Sequence, residues 1–252
     1  KSIYHGNFKR GEGGDIDSSV LVYEYLRTMA AVALSALELR QLDQIADDNE
    51  QKSTLSFLHL GYGAGSLPRF MANIIPESRH IAIELDDGVV RAAYQCNLLS
   101  RSVELQFGDA LTYQMKPNDS FDAVFIDIFD EHNLLPKEFY SKSFLERMQK
   151  VYLGGHPDGM VLHNFHTGGK ARGAQLEDAI KAYRSVFSTT LAVESVGSHH
   201  TGGNTILLAT NKKRLDASSE TLCWHFAGTQ AQQRFGVNFD ILARTTSKLW
   251  FS

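Results

Sequence analysis

The run Leu58-His59-Leu60-Gly61-Tyr62-Gly63-Ala64-Gly65-Ser66-Leu67-Pro68 constrains this chain more than any other stretch. Apolar residues lead into three glycines at alternate positions, and a segment with helical spacing follows at once. Glycine suits such a turn because it allows a tight reversal and close approach of the backbone to a bound group, while the next helix aims its free N–H groups there. A glycine pattern alone says little. With a strand before it and a helix after it, the pattern has the context that a nucleoside-binding turn requires, and a plain strand-to-helix turn is the alternative.

Around this turn, short apolar runs alternate with amphipathic segments, which predicts βα units and a mainly parallel sheet. Strands are expected at Leu55 to Leu60, His80 to Leu85, Val103 to Phe107, Ala123 to Asp127, Gly159 to Asn164, Leu191 to Val196 and Thr205 to Ala209. Helices are expected at Ser66 to Ile75, Gly88 to Leu98, Pro136 to Val151 and Gly173 to Phe187. Before them, Val22, Leu26, Met29, Ala33 and Leu37 recur at helical spacing from Ser18 to Leu42, with Ser18 and Ser19 as caps. Seven strands, the last two joined through Gly202-Gly203, make a doubly wound sheet closed by an antiparallel hairpin. The polar start from Lys1 to Asp17 reads as a loop or short hairpin. In the tail, Phe239, Leu242 and Leu249-Trp250 are apolar enough to need cover, so helices packed on the sheet are expected there. The chain then divides into an N-terminal extension and helix (1–50), a Rossmann-like domain (51–213) and a helical tail on the same domain (214–252).

Composition narrows the function classes. The net charge of −4 comes without a basic block, so nucleic acid is not the expected partner. Cys96 and Cys223 stand far apart and outside any CxxC spacing, which points away from a zinc site or disulfide framework and towards a reducing, cytoplasmic setting. No apolar run reaches the ~20 residues a membrane span needs. The first residue is Lys, which leaves room for an upstream piece. Ten histidines are present, His199-His200 among them, but none falls in a metal-ligand spacing, and no metal is expected.

Four groups of polar residues follow the strands. Glu84, in Ile83-Glu84-Leu85-Asp86, ends the second strand about twenty residues past the glycines, where an acid can accept both ribose hydroxyls of a nucleoside. Asp109 and Ala110, after the third strand, can meet an adenine amino group, although Gly-Asp is also a routine turn dipeptide. Asp127, Asp130 and Glu131 follow the fourth strand, where ligands of open α/β sheets collect, and carboxylates there can orient or deprotonate an amine. Each of these acids can equally cap a helix or hold its own loop. His163, Asn164 and His166 end the fifth strand near the same edge, while Tyr23, Glu24 and Arg27 are polar positions on the first helix that could roof the pocket.

Taken in order, Gly61 to Pro68, Glu84-Leu85-Asp86, Gly108-Asp109-Ala110, Asp127-Ile128-Phe129-Asp130, Phe144-Leu145 and Leu162-His163-Asn164 resemble the spermidine-synthase-like branch of S-adenosylmethionine (SAM)-dependent methyltransferases. Within that branch they are similar to the C-terminal domain of the methyltransferase that modifies elongation factor 1 alpha. The likeness spans roughly Ser18 to Lys213. It implies a seven-stranded class I methyltransferase sheet with helices on both faces, binding SAM or its decarboxylated form. By that resemblance Gly61, Gly63 and Gly65 lie along the cofactor, Glu84 holds the ribose, Asp109 and Ala110 meet the adenine, and Asp127 with Asp130 serves the reacting centre. Tyr23, Glu24, Glu131 and Asn164 are then expected beside the substrate.

The departures matter too. Aminopropyltransferases usually carry Gly-Gly-Gly-Asp-Gly in the turn, a proline after the second Asp of the pair, and Tyr-Gln-Glu or Tyr-His-Glu on the preceding helix. Here Ser66 follows the last glycine, Glu131 follows Asp130, and the helix carries Tyr23-Glu24-Tyr25. Methyl transfer to an amine, on a protein or a small molecule, is therefore the expected activity. Aminopropyl transfer from decarboxylated SAM to a polyamine is the first alternative, and a non-catalytic nucleoside-binding scaffold the second. A homodimer is compatible with any of the three.

Overall fold

Alternation of side chains along the central strands decides how the two faces of the sheet are covered. Phe57, Phe125 and Leu162 point to one side and Leu58, Leu60, Val124, Ile126 and Val161 to the other, all buried. Strands buried on both faces read as unbroken apolar runs, which is why the sequence shows no polar alternation there. The structure, a computed structural model, describes residues 17–46, 54–96, 98–116, 119–132, 134–156, 158–168, 170–195, 203–212, 217–246 and 249–251. Most of the expected N-terminal loop or hairpin, the His199-His200 turn and Gly202 lie outside the described residues.

The strands are β1 (Ser56–Leu60), β2 (Arg79–Glu84), β3 (Val103–Phe107), β4 (Ala123–Ile126), β5 (Met160–His166), β6 (Thr189–Glu194), β7 (Asn204–Thr210) and β8 (Leu249–Phe251). Across the sheet they run β3-β2-β1-β4-β5-β7-β6-β8. The first five are parallel; β7 pairs antiparallel with β5 and β6, and β8 antiparallel with β6. The seven expected strands are all present. Strand β8 is an addition: Leu249 to Phe251 cover the edge of β6 as a strand, where the apolar tail was expected to pack as helix. An exposed edge presents unpaired backbone groups, and a short added strand satisfies them.

One face carries α1 (Glu24–Ala46), α2 (Ser66–Ile74), α6 (Ala217–Phe235) and α7 (Ile241–Thr246), with Leu21, Met29, Leu34, Phe70, Trp224 and Ile241 in its core. Helix α3 (Asp87–Gln95) covers β2 and β3 through Ala93. The other face carries α4 (Lys142–Arg147) and α5 (Lys170–Arg184). The single helix expected from Pro136 to Val151 is broken: Lys137–Tyr140 form a 3-10 turn, Ser141 is extended and its hydroxyl caps α4 through the Phe144 N–H, and α4 runs on into a π turn at Met148–Tyr152. Helix α1 begins at Glu24 instead of Ser18, because the Asp17 carboxylate takes the backbone N–H and hydroxyl of Ser19 and closes a turn there. The expected caps Ser18 and Ser19 therefore lie before the helix. Among the described residues no helix is long and apolar enough to cross a membrane.

Candidate cofactor and acceptor site

Strand order reverses between β1 and β4, which opens a crevice at their carboxyl ends. The ladder continues one residue into each loop: the Gly61 N–H donates to the Ile83 carbonyl at 2.9 Å, and the Asp127 N–H donates to the Leu60 carbonyl at 3.0 Å. Two loops thus leave the sheet side by side. Gly61 has φ 89°, and a Cβ there would sit 2.4 Å from the Asp127 carbonyl oxygen, so both its backbone and its neighbour require glycine. Gly65 has φ 70° and a Cβ would fall 2.3 Å from the Tyr62 ring.

Tyr62 explains that second contact. Its ring is buried under Gly65, its hydroxyl donates to the Leu98 carbonyl at 2.8 Å, and burial pushes its phenol up to about 12. The turn is thereby pinned to the connection before β3. At Gly63 a Cβ would meet nothing within 4 Å, so the crest of the turn faces open space. The sequence presented Tyr62 only as a spacer between glycines.

Glu84 holds the turn from β2. One carboxylate oxygen accepts the N–H groups of Tyr62 at 2.9 Å and Gly63 at 3.1 Å, and the other accepts that of Asp86 at 2.9 Å. The Asp86 side chain in turn caps α3 through Gly88 N–H at 2.8 Å. Asp109 accepts from the Leu111 N–H at 2.8 Å, and Ala110 is buried against the α4 side of the sheet. Between them Leu85 and Phe107, 66% and 63% exposed, offer apolar surface at the ends of β2 and β3.

Asp127 is the centre of a second cluster. Its Oδ1 accepts from the Asn164 side-chain amide at 2.8 Å and its Oδ2 from the Tyr25 hydroxyl at 3.2 Å. Asn164, buried on β5, in turn accepts from the Asn204 amide at 2.9 Å. Burial, followed by the Asp127 charge, holds the Tyr25 phenol well above its ordinary value, so Tyr25 remains a donor. Tyr23 packs its ring 6.0 Å from that of Tyr25, and Phe129 meets His166 edge-on at 5.1 Å.

Other expected site residues go elsewhere. Asp130 is exposed, and its Oδ1 accepts the His132 and Leu134 N–H groups at 2.8 Å each, closing its own loop. The Asp127 and Asp130 carboxylates are thus committed to different partners. Glu131 is exposed beside His132. Glu24 lies between Arg27 and Arg244, tying α1 to α7. His163 faces away from Asn164 into the α5 side, meets the Tyr183 hydroxyl at 2.7 Å, and is pushed by burial down to about 3. Among the described residues no group of three or more His, Cys, Asp or Glu side chains is placed to hold a metal.

A sheet whose order reverses between β1 and β4, with its glycine turn at the reversal and its last strands antiparallel, is the class I SAM-dependent methyltransferase fold in its spermidine-synthase-like form. No protein-family model matches the chain. In a match that covers 70% of its length it is 26% identical to the eEF1A lysine and N-terminal methyltransferase of Mus musculus, and it spans about a quarter (25%) of that protein. The structure superposes on human methyltransferase-like protein 13 in complex with SAH with a TM-score of 0.64, at 21% identity over 84% of this chain and 93% of that one. A probable spermidine synthase from Corynebacterium glutamicum gives a TM-score of 0.64 at 21% identity, over 87% of this chain and 80% of that one.

Proposed function

We propose that the chain is a SAM-dependent methyltransferase acting on an amine, and that the amine belongs to a protein. The observation that carries this is the contact between the Gly61 backbone and the Asp127 carbonyl, which sets the nucleoside turn against the acid best placed to receive an acceptor. A protein acceptor is supported by the curated relatives, whose names give eEF1A as theirs.

The residues present fit the cofactor. Gly63 leaves the crest of the turn open, and Glu84 retains one unused acceptor position on Oε1 for a ribose hydroxyl, since each carboxylate oxygen accepts about two hydrogen bonds. Leu85 and Phe107 would cover the adenine faces, and Asp109 Oδ2 would take its amino group. SAM, when bound, would supply an electrophilic methyl group on a sulfonium, whose methyl–sulfur bond would break with the electron pair going to sulfur and leave neutral SAH.

The chain's own residues then position the nucleophile. Asp127 has one neutral donor on each oxygen, so each retains a direction for an N–H of the incoming amine. Held there, the amine keeps its lone pair in line, and Asp127 receives the proton that the nitrogen must shed as the new N–C bond forms. Tyr25 and Asn164, each donating to one oxygen, hold the carboxylate in place.

Aminopropyl transfer would call on Asp127 and Asp130 as a pair, and here the two carboxylates have separate partners: Asp127 meets Tyr25 and Asn164, whereas Oδ1 of Asp130 takes two amides of its own loop. Isothermal titration of the chain with SAM, SAH and decarboxylated SAM tests the cofactor, and transfer of labelled methyl from SAM to purified eEF1A tests the acceptor. Tight SAH binding with methyl incorporation is expected. Preference for decarboxylated SAM would reverse the assignment, and SAH binding without incorporation would rule out eEF1A alone.

A further inference from the structure

We propose that Asn204, on β7, is a positioning residue that orients Asp127 through Asn164. The inference rests on the reading of Asp127 as the acceptor-binding carboxylate. It adds a residue from the antiparallel hairpin to a site otherwise built from α1 and the parallel half of the sheet.

The polarity of the chain of hydrogen bonds carries the argument. An ionised carboxylate only accepts, so Asn164 must turn its Nδ2 towards Asp127 Oδ1, 2.8 Å away. Its Oδ1 then points the other way, buried, and needs a donor. Asn204 supplies one, its Nδ2 lying 2.9 Å from that oxygen. A carboxamide is nearly symmetric in shape, and only its partners decide which end faces which. Asn204 thus selects the orientation of Asn164 that stabilises the Asp127 carboxylate.

The position of Asn204 is itself fixed from two sides. Its carbonyl accepts the Ser195 N–H at 2.8 Å. The preceding Gly203 carbonyl accepts both the N–H and the hydroxyl of Thr167, each at 2.7 Å. Strand pairing places Asn204 opposite His166 and Ile206 opposite Asn164, so Asn204 and Asn164 are diagonal neighbours on the α1 face. The tips of β5, β6 and β7 are therefore joined at the residue that begins the relay.

Asn204→Asp is the informative variant because it changes one atom group and reverses the polarity. An Asp at 204 would draw the Asn164 amide towards itself and turn the Asn164 oxygen onto Asp127. Two readouts apply to the full chain. Tyrosine labelled at 13Cζ, with the Tyr25 signal assigned by its loss in Tyr25→Phe, reports on Asp127 from the side that Asn204 does not touch. Methyl transfer from SAM to eEF1A reports on turnover, with SAH titration as the binding control.

In Asn204→Asp the Tyr25 resonance is expected to shift, kcat to fall at least tenfold, and SAH affinity to stay within threefold of wild type. Asn204→Ala, which removes the donor without adding charge, is expected to move the Tyr25 resonance less in the same sense, and serves if the Asp variant fails to fold. An unmoved Tyr25 resonance in a folded variant overturns the relay. Absence of SAH binding in the wild type sinks the methyltransferase reading instead, absence of methyl transfer to eEF1A removes that acceptor alone, and in either case the Tyr25 signal still decides the relay.

Discussion

The backbone of Gly61 and the carbonyl of Asp127 are in such close contact that a single added methyl group would lie 2.4 Å from that oxygen. The carbonyl belongs to backbone that the β1–β4 ladder holds in place, so it cannot move aside cheaply. Gly61→Ala combines this clash with an unfavourable φ of 89°. A loss of about 1–3 kcal/mol is expected, with a drop of several degrees in melting temperature and weaker SAH binding. Differential scanning fluorimetry with and without SAH measures both, and an unchanged melting temperature contradicts the contact.

Glu84 is expected to affect both binding and stability. Its carboxylate satisfies three backbone amides of the turn and of the α3 entry before any ligand arrives. Glu84→Ala leaves those amides without their charged acceptor, at about 1.5–3 kcal/mol for a hydrogen bond to a charged group. SAH affinity should fall tenfold or more, together with a lower denaturation midpoint. Weakened binding at an unchanged midpoint would mean that the carboxylate serves the ligand only.

Asp127→Asn should separate binding from turnover. The amide keeps the shape but offers Asn164 or Tyr25 a donor where each needs an acceptor. A fall in kcat of about 100-fold is expected from the loss of the proposed general base, with SAH affinity nearly unchanged. Tyr25→Phe should give a smaller loss in the same direction. Single-turnover kinetics with eEF1A and calorimetry with SAH provide the two numbers, and an equal loss of binding would place Asp127 in the cofactor site.

Acid should destabilise the fold through buried histidines. His59 and His80 meet at 3.0 Å, and the far nitrogen of His80 meets the Ser78 hydroxyl at 2.7 Å. Ser78 donates to the Ile75 carbonyl, so His80 donates to Ser78 and accepts from His59, both rings neutral. Burial lowers His80 to about 4 and His59 well below its ordinary value. The unfolded chain binds protons near pH 6.5 and the folded one does not, so their stabilisation is complete above that pH and is lost as pH falls towards 4. Each pH unit of that interval is worth at most about 1.4 kcal/mol per histidine. Urea midpoints at pH 7.5, 6 and 5 should decline in that order; equal midpoints would show that the rings charge freely in the fold.

How much of this was legible in the sequence differs from element to element. Strand β3 falls at its expected residues and the other six differ by a residue or two at their ends, since apolar runs and turn residues are local signals. Strand β8 was not legible, because three apolar residues near the chain end carry no period that separates strand from helix. Asp127 and Asp130 looked equivalent as acids three residues apart. Their fates diverged because Asp130 can reach the amides of its own loop, whereas Asp127, leaving β4 beside Gly61, meets α1 and β5.

By itself, the sequence determined the glycine turn, the acid that follows β2 and the parallel sheet that brings them to one edge, because each depends on residues near one another in the chain. Only the tertiary structure decided what surrounds Asp127. Tyr25 stands 102 residues away from it and Asn164 stands 37, and Asn204 is a further 40 residues beyond Asn164. No local pattern encodes those partners; they meet because α1 packs across the sheet and β7 inserts beside β5.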